Sequence, residues 1–226
     1  MKVAIHQPNY LPWLGYFKKM ALADVFVLLD TVQFSRDSYT QRTRIRTKGG
    51  WMWLTIPVEK DCHFKPIRDV RMPRVNKWQA KHLSSIVSNY SRSAHFDRAF
   101  AEGYYGRDYP TLPAFNEAGI FYLKEKLGIK CQVIRASELD PDPALKSTGL
   151  LIDIVERAGG DTYISGAGGE KYMDAAAFAA HGIRLEAARY TPAEYPQRWG
   201  GFEPYMSAID LLFNAGGVRT DEVKNV

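Results

Sequence analysis

Residues 1–30, MKVAIHQPNYLPWLGYFKKMALADVFVLLD, decide the fold. A short apolar strand runs into a polar loop, an amphipathic helix is predicted from about Leu14 to Ala23, and VFVLLD at residues 25–30 is typical of a second buried strand. This order predicts a right-handed parallel crossover. His6 and Asp30 are therefore expected at the same carboxyl edge of a sheet.

The loop after the first strand is a candidate binding site. Pro8 and Pro12 fix φ and remove two backbone donors, while Gly15 allows close approach, so the loop is expected to be stiff. In open α/β sheets, ligands bind outside the carboxyl ends of the strands, and a helix start attracts anions. The sequence therefore predicts a site for a polar or anionic small molecule, with His6 as general base or hydrogen-bond donor beside Gln7.

The rest of the chain continues the alternation of strands and helices. It predicts an α/β layered fold with a mainly parallel sheet flanked by helices, plus a β-hairpin and a helical insertion, all within one domain of residues 1–226. The predicted segments are a hairpin at 41–58, helices at 76–90 and 112–127 within the insertion (about 76–127), a strand at 131–139, a helix at 149–158, a strand at 162–166, a helix at 174–181, a strand at 182–190 and a helix at 207–214.

Composition excludes several classes of protein. The chain has 226 residues, of which 46% are apolar, without an apolar run long enough to span a bilayer. It begins directly with a strand, so we expect a cytoplasmic protein. Cys62 and Cys131 lack ligand spacing, which favours free thiols over a disulfide or zinc site. The 30 basic and 25 acidic residues give a net charge of +5, a modest excess that a phosphate-bearing metabolite explains as well as a nucleic acid does.

The predicted hairpin carries a basic face. Arg42, Arg44 and Arg46 alternate with uncharged residues and should share one side of the strand. Two readings remain open, a solvated edge strand or an anion-binding surface. Trp51, Trp53 and Trp78 are expected in the core. A nucleic-acid partner is disfavoured because no known nucleic-acid-binding signature accompanies the basic residues.

A second glycine-rich loop follows the strand at 162–166. ISGAGGEKY at residues 164–172 is typical of an anion nest, in which backbone N–H groups point at an oxyanion and Lys171 opens a helix. It lacks the GxxxxGK[ST] pattern of a Walker A loop. A tight turn that binds nothing would use the same glycines, so this alternative also stays open.

These motifs define a predicted site. Its catalytic residues are His6, Gln7 and Asp30, and its substrate-binding residues are Tyr10, Lys18, Gln33, Ser38, Arg42, Ser165, Gly166, Gly168, Lys171 and Tyr172. No cofactor is indicated and no metal site is predicted, although Asp30 could hold magnesium through a phosphate. Asp210 lies within an apolar helix and needs a partner, for which Arg42 and Gln197 are candidates.

The chain resembles the WbqC-like family through segments spread in order over nearly its whole length: HQPNYLPWLGYFKK, DVFVLLDTVQF, RTRIRTKGGWMWLTIPV, YISGAGGEKYMD and FEPYMSAIDLLFN. The positions that fit the recurring pattern of the family are His6, Gln7, Pro8, Tyr10, Gly15, Lys18, Asp30, Gln33, Arg42, Pro57, Ser165, Gly166, Tyr172 and Asp210.

The resemblance implies a place in bacterial surface-polysaccharide (O-antigen) biosynthesis and a transferase that adds glycine or another small acyl group to an amino sugar. Its small-molecule substrate would then be a phosphate-bearing nucleotide-sugar. A fainter similarity in topology is to nucleotidylyltransferases with an HxGH loop and an ISSTxxR loop. Tyr16 stands where the second histidine of HxGH would be, and Lys171 where the arginine would be. A third hypothesis is a basic binding or scaffold protein that uses the surface from Arg42 to Lys77.

Overall fold

The computed structural model describes residues 1–73, 77–166, 169 and 173–217. The strands and helices follow one another as β1 (Lys2–His6), α1 (Leu14–Ala21), β2 (Val25–Leu28), β3 (Arg42–Thr47), β4 (Gly50–Thr55), α2 (Trp78–Tyr90), α3 (Arg98–Gly106), α4 (Leu112–Lys126), β5 (Gln132–Arg135), α5 (Ala136–Leu139), α6 (Ser147–Arg157), β6 (Thr162–Gly166), α7 (Ala175–Ala180), β7 (Arg184–Ala188) and α8 (Ala208–Ala215). Short 3-10 turns lie at Lys60–Cys62 and Ile67–Asp69.

A parallel sheet of five strands, in the order β5-β2-β1-β6-β7, forms the centre of the protein. Ala4 of β1 lies opposite Phe26 of β2 on one side and Ile164 of β6 on the other. The chain runs outward from β1 through β2 to β5, then returns to the other side of β1 with β6 and β7. The predicted α/β fold with a mainly parallel sheet and a separate hairpin is confirmed.

Both faces of the sheet are covered, which is why its central strands are apolar on both sides. Ala4 and Phe26 pack in one cluster with residues of α1, α4 and α8. Val3 and Val27, which alternate with them along the same strands, pack in a second cluster with α6 and α7. Because helices cover both faces, we expect a ligand at the ends of the strands.

Gly15 gives room to a neighbouring indole. A Cβ atom at this position would lie 2.4 Å from Cη2 of Trp13. Trp13 in turn packs edge-on against Tyr190, with ring centroids 5.1 Å apart. The close approach predicted at Gly15 is therefore made by the Trp13 ring and not by a ligand, and Trp13 packs the loop against the C-terminal part of the chain.

The hairpin of β3 and β4 has an inner and an outer face. Ile45 and Leu54 are buried on the inner face. Trp51 and Trp53 lie on the opposite side, where Trp51 is 41% exposed and Trp53 is half-buried. The expectation that Trp51 belongs to the core is therefore wrong, because its register places it on the outer face. Trp78 is buried as expected.

Two helices depart from the sequence prediction. Between the two predicted helices of the insertion lies a further helix, α3, which begins where the Asp97 carboxylate accepts a hydrogen bond from the Phe100 N–H at 2.9 Å. The strand predicted over 131–139 ends at Arg135, and α5 follows it. The Asp30 carboxylate accepts hydrogen bonds from both the N–H and the hydroxyl of Ser137, which holds the start of this short helix.

Asp210 lies fully buried in α8 at the centre of a hydrogen-bond network. Its carboxylate accepts from the Tyr90 hydroxyl at 2.7 Å, the Tyr195 hydroxyl at 2.8 Å and Gln197 Nε2 at 2.8 Å. Gln197 is thus the partner that the sequence required, whereas Arg42 pairs with Asp37 elsewhere. The network joins α8 to α2 and to the segment before α8.

Among the described residues, no helix combines the length and the apolar character needed to cross a membrane.

Candidate functional site

The candidate site lies where the strand order of the sheet reverses. His6 ends β1, whose neighbour β2 follows it in the chain, while its other neighbour, β6, arrives much later. In open α/β sheets, this switch point leaves a crevice outside the carboxyl ends of the two diverging strands. His6 and the end of β6, at Ser165 and Gly166, therefore border the place where the fold offers a binding site.

His6 is held in one tautomer by its neighbours. Its Nδ1 lies 3.2 Å from the carbonyl oxygen of Gln7, which can only accept, so Nδ1 carries the proton and Nε2 keeps its lone pair. The imidazole packs edge-on against Tyr16, with ring centroids 4.8 Å apart. His6 is therefore oriented as a proton acceptor at the end of β1.

Lys19 is buried next to His6 and is 5% exposed. Its Nζ donates to the carbonyl oxygen of Ile5 at 2.7 Å and lies 5.6 Å from the centre of the Tyr163 ring. Within the described part of the chain, no carboxylate pairs with it. Burial lowers the pKa of Lys19 from 10.5 to about 7. A buried, unpaired cation at this edge favours an anionic ligand.

The two groups are electrostatically linked. Burial is the main cause that lowers the pKa of His6 from 6.5 to about 3, and the charge of Lys19 adds to it, while the Gln7 carbonyl opposes it. His6 is thus neutral at physiological pH. An anion bound beside both residues would raise both pKa values, because it stabilises the charged forms.

The lowered pKa of His6 predicts an acid-sensitive fold. Because the unfolded chain takes up a proton below about pH 6.5 and folded His6 only near pH 3, this group lowers the free energy of unfolding as the pH falls from about 6.5 toward 3. In His6→Gln, urea unfolding should show a shallower loss of stability over this window. Equal acid profiles for the two proteins would contradict the burial of a neutral imidazole.

The loop that follows His6 is fixed from several sides, as its prolines suggested. Asn116 Nδ2 donates to the carbonyl oxygens of Pro8 and Thr40, each at 2.8 Å. The Leu11 carbonyl accepts from Thr43 Oγ1 at 3.0 Å and from Ser207 Oγ at 2.7 Å. The hairpin, α4 and the start of α8 therefore hold the loop in place.

Gln7 contacts the segment that contains the predicted residues Ser38 and Arg42. Its side-chain oxygen accepts from Thr40 Oγ1 at 3.1 Å. Ser38 forms a turn in the same segment, since its hydroxyl donates to Ser35 and its carbonyl accepts from the N–H of Arg42 at 3.1 Å. The segment from Ser38 to Arg42 thus adjoins the start of the loop.

Asp30 is placed at the same edge but is already fully engaged. It is 2% exposed, and its carboxylate oxygens accept from the N–H of Ser137 at 2.9 Å and from the hydroxyl at 2.6 Å. Its backbone carbonyl also accepts from the N–H of Arg68. This geometry supports a role in positioning the strand ends and does not aim a free carboxylate at His6.

The remaining predicted residues are spread over different surroundings. Tyr10 lies in the core, 1% exposed, with its hydroxyl bonded to His82 and Tyr105. Gln33 is exposed and forms an isolated antiparallel β-bridge with Pro66. Lys18 is half-buried on α1. The predicted Gly168, Lys171 and Tyr172 lie outside the described residues.

Sequence reasoning missed several residues that shape the site. The burial of Lys19 could have been predicted from its spacing, because it lies three residues after Tyr16 and therefore on the same buried side of α1. Thr40, Asn116 and Ser137 reach the site only through tertiary contacts, for which neither spacing nor periodicity gives a signal.

One compact group of potential metal ligands lies within the described part of the chain, at Glu59, Asp61 and Cys62. Two of its three groups already have partners, since Asp61 pairs with Lys65 and the Cys62 sulfur accepts from the N–H of Arg71 at 3.3 Å. The cluster does not include the predicted site residues.

Comparison with known proteins finds similarity over nearly the whole chain. The model of the WbqC-like protein family matches residues 7–222. An uncharacterized protein of Mycobacterium tuberculosis, Rv1507c, is 33% identical over 228 residues, covering 99% of this chain and 97% of the relative. No solved structure matches the chain significantly.

Proposed function

Because the chain belongs to the WbqC-like protein family, we propose that it is a transferase that adds a small acyl or aminoacyl group to the amino group of a sugar or nucleotide-sugar used for surface polysaccharide. The observation that carries this proposal is a neutral, oriented His6 next to the buried cation of Lys19, at the switch point of the sheet.

In the proposed reaction, the amine nitrogen attacks the acyl carbonyl and a carbon–nitrogen bond forms. His6 Nε2 accepts the proton from the nitrogen, the bond to the donor group breaks, and the proton passes to that leaving group. Neutral His6 is ready for this step, and a phosphate of the substrate near Lys19 would raise the pKa of His6 and strengthen it as a base. Gln7, whose side-chain oxygen accepts from the buried Thr40 hydroxyl, offers its amide N–H groups to the sugar.

Phosphate binding is assigned to the cations around the crevice. Lys19 points its ammonium group at the strand end, and Lys18 precedes it on α1, whereas Arg42 lies over the Trp53 ring on the outer face of the hairpin and is not assigned to this phosphate. The sequence that comes after Gly166, AGGEK, is rich in glycine and would add backbone N–H groups. A nucleotide-sugar carries the diphosphate that such a set of donors recognises.

Product formation tests the proposal. The protein is incubated with amino nucleotide-sugars and acyl thioester or aminoacyl-adenylate donors, and mass spectrometry measures the acylated sugar. His6→Gln should slow transfer by about 100-fold or more, since a general base contributes about that much. His181→Gln, at an exposed histidine on the far end of α7, should leave the rate unchanged. A folded His6→Gln protein with the full rate of transfer would refute the assigned role.

Nucleotidyl transfer is the competing enzyme hypothesis, and the switch-point crevice would suit a nucleotide. However, Tyr16, which replaces the second histidine of that motif, is only 1% exposed, and its buried hydroxyl has no hydrogen-bond partner among the described residues. Tyr16 is therefore not placed to contact a phosphate as the second histidine of the motif would. Exchange of pyrophosphate into a nucleoside triphosphate would favour this hypothesis over acyl transfer.

A further inference from the structure

The outer face of the hairpin presents a row of exposed aromatic rings interleaved with arginines. The ring centroids of Tyr39 and Trp53 are 5.8 Å apart, and those of Trp53 and Trp51 are 5.6 Å apart. Arg42 and Arg44 lie over these rings. We call these five residues the Arg-Trp face.

The guanidinium groups of both arginines lie over the indole rings. The guanidinium carbon of Arg44 is 4.3 Å from the centre of the Trp51 ring and 4.8 Å from that of Trp53, and Arg42 is 4.3 Å from Trp53. Trp51 and Tyr39 nevertheless remain 41% and 42% exposed. The arginines therefore orient the indoles and leave their outer surfaces open to solvent.

Little negative charge balances these cations. Within the described residues, Arg44 has neither a salt bridge nor a hydrogen bond from its guanidinium, and its Nε is buried without a partner. Arg42 has only a long contact of 3.5 Å to the exposed Asp37. Arg36 and Lys48 are also exposed, and they lie in the chain shortly before Tyr39 and in the hairpin turn. The face is thus complementary to an anion.

The chemistry of the face selects among possible occupants. A symmetric contact with a second copy would bring Arg42 and Arg44 toward their own copies, which is unfavourable. A neutral sugar needs carboxylates and amides to bind its hydroxyl groups, which this face does not place among its rings. Single-stranded nucleic acid instead combines phosphates with bases that stack on aromatic rings and guanidinium groups.

From this geometry we propose that the Arg-Trp face binds single-stranded nucleic acid, with bases stacked on Tyr39 and Trp51 and phosphates held by Arg42 and Arg44. This inference does not depend on the proposed transferase activity. It departs from the expectation from sequence, which disfavoured nucleic acid because no known binding signature accompanies the basic residues and which placed Trp51 in the core.

Fluorescence anisotropy with labelled oligo(dT) and oligo(U) tests the proposal on the full chain at low ionic strength. Trp51→Ala should weaken binding by roughly 5- to 100-fold, as expected for the loss of one stacked base. Arg44→Gln should reduce the slope of log affinity against log salt concentration by about 0.7, the value for one phosphate contact on a single strand. Phe121→Ala, at a ring of similar exposure on α4, should bind like the unchanged protein.

Three outcomes would overturn the proposal. The first is that the unchanged protein binds neither oligonucleotide at low salt. The second is that the Trp51→Ala and Arg44→Gln proteins, shown to be folded by thermal unfolding, bind as tightly as the original. The third is that heparin, an anionic polymer without bases, binds with the same dependence on Trp51, which would assign the face to acidic polysaccharide. Loss of acyl transfer in His6→Gln has no bearing on these results.

Discussion

Replacing Lys19 by methionine should raise the free energy of unfolding at about pH 6 by roughly 2 to 4 kcal/mol, because it removes a buried and unpaired charge. The shift of the Lys19 pKa from 10.5 to about 7 corresponds to roughly 5 kcal/mol of destabilisation when the lysine is charged. Loss of the hydrogen bond to the Ile5 carbonyl offsets about 1 kcal/mol of the gain. Urea unfolding measures the difference.

The pH dependence identifies the cause of this gain. Between about pH 7 and 10.5, the unfolded chain holds the Lys19 proton and the folded protein does not, so this group makes stability rise with pH through that window. The advantage of Lys19→Met should therefore shrink at about pH 9. Lys81→Met, at an exposed lysine of α2, should show no such trend. A Lys19→Met protein less stable than the original at about pH 6 would show that the lysine has a stabilising partner.

Replacing Asp210 by alanine should lower the free energy of unfolding by roughly 3 to 5 kcal/mol. Three buried donors, from Tyr90, Tyr195 and Gln197, would lose their shared acceptor at once. Thermal unfolding should shift down by roughly 2 to 4 °C for each kcal/mol lost in a chain of this size.

Two smaller substitutions calibrate this effect. Tyr195→Phe removes a single donor from the network and should cost about 1 kcal/mol. Asp174→Ala removes an exposed N-cap of α7 and should cost a similar amount. If Asp210→Ala were no more destabilising than these, the buried network would not hold α8 in place.

The pattern of apolar residues was enough to predict most of the fold. The strand, loop and helix after Met1, the hairpin turn near Lys48, and β6 all follow from periodicity and turn residues, so they occur close to the predicted bounds. The short helix α5 could not be predicted, because it depends on the contact between Asp30 and Ser137, 107 positions apart in the chain.

The candidate site was predictable only in part. The position of His6 at a strand end follows from local sequence, whereas its neutral state depends on Lys19 and on burial that only the packed structure supplies. Trp51 was misplaced because an aromatic residue in a strand has the same pattern on either face until the packing partner of the hairpin is known. Tyr10 was predicted to bind substrate but lies in the core. Its hydroxyl partners come from α2 and α3, which are distant in the chain, so the local sequence does not indicate its burial.

Nitrogen-15 NMR of the five histidines tests most directly whether His6 lies in the binding site for a phosphate-bearing sugar. The His6 signals, assigned with His6→Gln, are followed while amino nucleotide-sugars are added. We expect a neutral imidazole protonated at Nδ1, a saturable shift of its signals with ligand and a raised pKa, while His181 stays unchanged. Ligand binding detected by calorimetry with no change at His6 would contradict it.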